Sequence, residues 1–168
     1  MRAVDGTDAQ AVAQEIASCD IMATAVGVNV LPFIAPNIAK GIETRGDRPL
    51  NIIICENLMD SADVLRGLIG EHISDAALLD NVGLIEASIG RMFPSMTPEM
   101  QQGDILLQWT EPYCELPLDE KGFIGPIPAL KYICLLYTSK FPVKKDNDQQ
   151  DNGRKKDRTN YRCGKVLV

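Results

Sequence analysis

Two short apolar runs, Ile21-Met22-Ala23-Thr24-Ala25-Val26 and Leu50-Asn51-Ile52-Ile53-Ile54-Cys55, constrain this chain more than any other feature. Neither alternates apolar with polar residues. Each ends on glycine or polar residues, Gly27 after the first and Glu56-Asn57 after the second. A short run without alternation is the pattern of a strand buried on both faces, and the interval between these two is long enough for one helix. Together they predict a βαβ unit of a parallel sheet, and hence an α/β fold. Ligands of such sheets sit at the carboxyl ends of the strands, which makes Gly27, Glu56 and Asn57 candidates for ligand contact.

The rest of the body fits around that unit. Thr7-Asp8-Ala9-Gln10 has the form of a capping box, and Ala9, Val12, Ala13, Ile16 and Ala17 recur at helical spacing, predicting a helix from about Asp8 to Ser18. A second helix carries the stripe Leu31, Ile34, Ala35, Ile38, Ala39 and Ile42; Pro32 suits its first turn, whereas Pro36 inside it predicts a break or bend. Arg45-Gly46-Asp47-Arg48-Pro49 then turns the chain into the second strand. Leu58, Val64, Leu65, Leu68 and Ile69 mark a third helix with Asp60 and Asp63 in its early turns, and Ser74 to Leu79 a short helical patch capped by Ser74 or Asp75. Strands are expected at about Asp20 to Val26, Leu50 to Cys55 and Gly83 to Ser88, all parallel, with a further strand over Ile105 to Glu111. From Phe123 periodicity is lost.

Charge divides the chain unevenly. Residues 1 to 139 hold 8 Lys and Arg against 19 Asp and Glu, while residues 140 to 168 hold 9 against 4. An acidic body argues against nucleic acid or a membrane surface as partner, since both are anionic. The basic stretch from Lys140 to Lys165 has too few apolar residues to order itself, so a disordered tail is expected. Cys19, Cys55, Cys114, Cys134 and Cys163 form no CxxC pair and are odd in number. They give no metal signature and favour a reducing compartment, the cytoplasm. No segment has the roughly 18 consecutive apolar residues of a spanning helix.

Several residues carry two readings. Thr24-Ala25-Val26-Gly27 is either an ordinary βα turn or a place where backbone passes close to a ligand. Asn57 can cap the third helix and can also offer its amide to a ligand, and both roles can hold at once. Glu86, in an otherwise apolar strand, either pairs with Arg91 or faces a polar cleft, because a carboxylate buried alone is costly. His72, the only histidine, reads as a solvated surface residue.

Three stretches in order, Thr24-Ala25-Val26-Gly27, Ile34-Ala35-Pro36-Asn37-Ile38-Ala39-Lys40-Gly41 and Asn51-Ile52-Ile53-Ile54-Cys55-Glu56-Asn57, resemble the long-chain polyol dehydrogenases. Within them the resemblance is to the group of mannitol-1-phosphate 5-dehydrogenases and altronate (tagaturonate, fructuronate) reductases. The segment from Val82 to Pro94 is similar to that family's signature, with Ile89-Gly90-Arg91 where the family carries Val-Asp-Arg. The resemblance implies NAD as cofactor, met by Thr24, Ala25, Val26, Gly27, Glu56 and Asn57, and a polyol, sugar phosphate or sugar acid as substrate, with Glu86 and Arg91 on its side. It implies no metal. Two family features are absent: the glycine-rich Gly-x-Gly-x-x-Gly turn, and the lysine that acts as general base with its Asn and His companions. The expectation is therefore a partial chain: residues 1–131 as the second half of a Rossmann-like sheet, and residues 132–168 as a tail foreign to the fold, inactive alone. The rival expectation is a small non-enzymatic flavodoxin-like binding module.

Overall fold

In a computed structural model the described residues are 3–128 and 133–136. Helix α1 (Ala9–Ser18) begins one residue later than the capping box places it. Asp8, not Thr7, is the cap: its carboxylate accepts from the Gln10 and Ala11 backbone N–H groups at 3.1 and 3.0 Å, while the Thr7 hydroxyl donates to Asp5. Of two adjacent capping residues the carboxylate wins, since it takes two donors and carries the charge that a helix N-terminus favours.

Strand β1 (Ile21–Thr24) leads through a 3₁₀ turn at Val28–Val30 into α2 (Leu31–Arg45), and β2 (Leu50–Ile54) follows. Helix α2 runs through Pro36 without the break that was one of the two expected outcomes. The amide that proline removes would pair with the carbonyl of Pro32, and both prolines lie on the exposed face, where water can serve that carbonyl. On the opposite face Leu31, Ala35, Ile38, Ala39 and Ile42 form the expected buried stripe. After β2 come α3 (Ser61–Gly70), a 3₁₀ turn at Ala76–Asn81 capped by Asp75, and β3 (Val82–Glu86).

The three strands form one parallel sheet in the order β1-β2-β3, with Thr24 opposite Ile54 and Ile54 opposite Glu86. All five residues of β2 are buried. Leu50, Ile52 and Ile54 point into a core shared with Ile16, Leu31, Ile38, Ile42, Leu65 and Ile69 from the three helices, while Ile53 packs on the other face with Ile85 and Leu118. Burial on both faces explains the missing alternation.

The second face is covered by a returning segment. A short helix α4 (Pro98–Gln101) precedes β4 (Leu116–Asp119) and a 3₁₀ turn at Glu120–Gly122; β4 pairs in parallel with β5 (Ile133–Leu136). Residues 133–136, which the sequence reading leaves outside the fold, thus extend this second small sheet. The rest of the expected tail, residues 137–168, lies outside the described residues. Asn51, in the middle of β2, closes the cover: its side-chain amide donates to the Ile124 carbonyl at 3.1 Å and accepts from the Ile124 N–H at 2.9 Å. Beside it, Gly83 and Gly122 let two backbones meet, because a Cβ on Gly83 would lie 2.7 Å from the Gly122 carbonyl oxygen.

The strand expected over Ile105 to Glu111 does not form. Asp104 turns the chain instead, its carboxylate accepting from the Leu106 N–H and its carbonyl from the Leu107 N–H, both at 2.9 Å. The turn takes up the Leu106 and Leu107 amides that a ladder would need, and Ile105 and Leu106 stay 79% and 75% exposed. Among the described residues no helix is long and apolar enough to cross a membrane.

Two outcomes follow from this packing. Gly83→Ala forces the Gly122 backbone away and should cost about 1 to 3 kcal/mol in denaturant melts, whereas Gly67→Ala, on the exposed face of α3 with open space at its Cβ, should gain about 0.5 to 1 kcal/mol. Glu43 on α2 accepts from both the backbone N–H and the hydroxyl of Ser74, and these bonds, the hydroxyl first, hold its carboxyl below the usual range. A depressed folded value means stability that is full above the ordinary carboxyl pKa and is lost as pH falls through the folded one. In Ser74→Ala, NMR titration should return Glu43 toward its ordinary value, and the stability gap to the parent should close as pH is lowered.

Candidate functional site

Parallel pairing brings the carboxyl ends of β1, β2 and β3 to one edge of the sheet, and with them most of the residues singled out from the sequence. The last ladder bond between β1 and β2 runs from the Cys55 N–H to the Thr24 carbonyl at 2.9 Å. Beyond it a side chain continues the pairing. Glu56 is 5% exposed, and its carboxylate accepts from the Val26 N–H through Oε1 and from the Gly27 N–H through Oε2, both at 2.9 Å.

The turn so held has a particular shape. Gly27 has φ +89° and ψ 141°, a left-handed backbone that suits glycine, and nothing lies within 4 Å of where a Cβ would be. Its outer side is therefore open to an approaching group. Its carbonyl accepts from the Val30 N–H at 2.9 Å, which starts the 3₁₀ turn leading into α2. Thr24 is 2% exposed, and its hydroxyl oxygen is buried without a hydrogen-bond partner. Thr24 and Val26 line a cavity of about 440 Å³ beside the free edge of β1, together with Val12, Ile16, Ile34 and Asn37.

Asn57 is exposed and does not cap α3, which starts four residues later with Asp60 at its N-cap position. The cap reading of Asn57 is therefore corrected, and a carboxylate from the next strand takes the task. Glu86 Oε1 accepts from the Ala62 N–H at 3.1 Å and from the Ser61 hydroxyl at 3.5 Å. Glu86 and Arg91 do not form the pair considered from the sequence, for Arg91 donates instead to the Tyr113 carbonyl. Tyr113 lines a second cavity of about 490 Å³ with Gly90, Glu111 and Pro112. Burial, helped by the adjacent Glu56 charge, pushes the Cys55 thiol up from its ordinary value, which keeps it protonated rather than nucleophilic. His72 is exposed, as expected.

The structure thus joins Glu56 to Val26 and Gly27 and separates Glu86 from Arg91. Sequence reasoning missed that both glutamates serve the backbone of the preceding crossover, and it missed Thr24 as a buried hydroxyl. The signal for Glu56 is positional: with Thr24 opposite Ile54, the register extended by two residues sets Glu56 beside Val26. In chemical terms the edge is a set of fixed backbone turns, with one open glycine face and one unspent hydroxyl.

Residues 1–132 match the Mannitol dehydrogenase Rossmann domain family. A mannitol-1-phosphate 5-dehydrogenase of Brevibacillus brevis is 37% identical over 137 residues, covering 78% of this chain and 34% of the relative. One from Aureobasidium melanogenum is 45% identical over 92 residues, covering 52% of this chain and 24% of the relative. Among solved structures, a D-sorbitol dehydrogenase in substrate-free form superposes with a TM-score of 0.62 at 14% identity, covering 77% of this chain and 36% of that one. The Pseudomonas fluorescens mannitol 2-dehydrogenase, in a ternary complex with NAD and D-mannitol, does so with a TM-score of 0.60 at 16% identity, covering 79% and 36%. This chain spans about a third of the length of the curated relatives it matches. A parallel sheet with its polar residues gathered at the carboxyl edge, and a family match over residues 1–132, lead to one conclusion: the chain belongs to the mannitol dehydrogenase family, within its Rossmann domain.

Proposed function

We propose that this chain is part of an NAD-dependent oxidoreductase that acts on a CH–OH group of a polyol, a sugar phosphate or a sugar acid, of the mannitol 1-phosphate or altronate type, in the cytoplasm. The observation that carries this reading is the Thr24–Gly27 turn at the carboxyl edge of the sheet, open on its glycine face and buried at its threonine hydroxyl. The mannitol 2-dehydrogenase that shares the fold was solved with NAD and D-mannitol bound, which supports NAD as the cofactor here.

In this reading residues 1–131 form a partial NAD-binding domain, to which β5 (Ile133–Leu136) adds through its pairing with β4. Thr24, Ala25, Val26, Gly27, Glu56 and Asn57 make the cofactor side of the edge, and Glu86 and Arg91 the substrate side. NAD, when bound, takes up or gives the hydride. The residues of this chain do the rest of the positioning. Gly27 lets the ligand approach the backbone, the Thr24 hydroxyl offers a hydrogen bond from a water-poor site, and exposed Asn57 offers an amide. Among the described residues the two carboxylates at this edge, Glu56 and Glu86, are engaged by backbone N–H groups, and we expect no turnover of substrate from this chain alone.

Titration of the ¹⁵N-labelled chain with NAD tests the reading directly. Shift changes should centre on Thr24 to Gly27 and on Asn57, and saturate in the millimolar range. Gly27→Val fills the open face and forces a β-branched residue to positive φ, which costs about 1 to 2 kcal/mol or more and should weaken NAD by roughly tenfold. A parent chain whose resonances do not move with NAD would sink the proposal.

A further inference from the structure

We infer that Glu56 is a positioning residue for the cofactor-binding turn: its carboxylate, spent on the Val26 and Gly27 N–H groups, sets the path of the backbone that NAD meets and itself makes no cofactor contact. This inference rests on the reading of that turn as an NAD site.

The geometry assigns this role by its stereochemistry. The β1–β2 ladder ends at the Cys55-to-Thr24 bond, and past the end of β1 the Val26 and Gly27 amides have no strand carbonyl within the ladder to receive them. A bidentate carboxylate receives both at 2.9 Å. With both amides held by one carboxylate, the chain turns at Gly27 and enters the 3₁₀ turn. The burial of Glu56 ties it to this position, because turning its carboxylate away would strand a charge and two donors together. Both oxygens are engaged, so the turn meets a ligand through its carbonyl groups, the Gly27 face and the Thr24 hydroxyl. Its two amides are withheld from any phosphate.

Glu86 uses the same device one strand along, with a different outcome. Its carboxylate reaches the first turn of α3, so it caps a helix and leaves the strand-end turn before that helix unheld. Among the described residues Glu56 alone ties a strand-end turn through two consecutive amides.

Glu56→Gln is the test, made in the full 168-residue chain. The amide keeps one acceptor oxygen and turns an NH₂ toward the second backbone N–H, so one of the two bonds is lost. Three quantities are read: hydrogen exchange of the Val26 and Gly27 amides, the dissociation constant for NAD by NMR titration, and the melting temperature. Asp75→Ala serves as the comparison, since it removes a cap, the Ala77 N–H to Asp75 bond at 3.0 Å, far along the chain from the turn. E56Q should speed exchange at Val26 or Gly27 and weaken NAD, each by roughly tenfold, as the loss of one charge-assisted hydrogen bond implies. D75A should lower the melting temperature and leave the NAD constant unchanged. An E56Q chain that binds NAD as the parent does, or loses no more affinity than D75A, overturns the inference and leaves the NAD site standing. A parent chain that does not bind NAD overturns the site and the inference with it. Should E56Q not fold, Glu56→Asp keeps the charge and shortens its reach by one methylene, and the same three measurements on it support or overturn the inference in the same way.

Discussion

A strand with a neighbour on each edge and side chains packed on each face has no access to water, and β2 is such a strand. Leu50, Ile52 and Ile54 require an apolar layer on one side, which α1, α2 and α3 supply, and full burial of each contributes about 1.5 to 3 kcal/mol. Asn51 and Ile53 require a second layer on the other. Ile53 finds Ile85 and Leu118, but Asn51 brings a polar amide into a buried place and is tolerated only because Ile124 presents both its N–H and its carbonyl. The returning segment is thus tied to β2 by a bond that works like a missing strand rung. The close passage at Gly83 and Gly122 is the consequence, since no side chain fits between backbones drawn that near. Burying one strand on both faces therefore goes with an asparagine bonded to the covering segment and with two glycines elsewhere in the chain.

The polar groups follow a related economy. Parallel strands leave their last carbonyls and amides at a common edge, and each crossover must use them or lose them. Here acidic side chains do much of that work. Glu56 holds the turn after β1, Glu86 holds the start of α3 after β2, and Asp8 holds the start of α1. At the opposite end of the molecule the complementary charge appears. Arg45 is buried at the end of α2 and donates to the Ile16 and Cys19 carbonyls at 2.8 and 2.6 Å, and Arg48 donates to that of Ala17. Carboxylates on helix starts and guanidinium groups on a helix end both match the helix dipole. The acidic body of the chain owes part of its charge to these fixed positions, so composition alone overstates how much of it faces a partner.

How much of this was legible beforehand depends on distance along the chain. The three strands, their parallel sense and most of the apolar stripes of the helices are signals contained within a dozen residues and read correctly, whereas Val64, expected in the α3 stripe, is 41% exposed and Leu58 lies ahead of that helix. The family resemblance was carried by the same short stretches, Thr24 to Gly27 and Asn51 to Asn57, and the match over residues 1–132 agrees with it. Local competition was harder: whether Thr7 or Asp8 caps α1, or whether Ile105 to Glu111 pairs or turns, depends on which of two nearby partners wins. The Ile105 run failed because strand propensity depends on context, and here the Asp104 turn takes the Leu106 and Leu107 amides instead. Hardest were the contacts that need a register. Arg45 lies 29 residues from Ile16, Asn51 lies 73 from Ile124, and Glu56 lies 30 from Val26. In the sequence each is a polar residue beside an apolar run, with nothing to mark it as a structural tie rather than a ligand contact. Glu56 shows the difficulty best, because it stands in a stretch that resembles a cofactor motif and its side chain lies at the right edge of the sheet. Only the pairing of Thr24 with Ile54 shows that its carboxylate falls beside two amides that the ladder leaves unpaired. A residue can therefore sit within a binding motif because it builds the binding surface, and separating that role from direct contact requires knowing which atoms its own backbone neighbours leave unsatisfied.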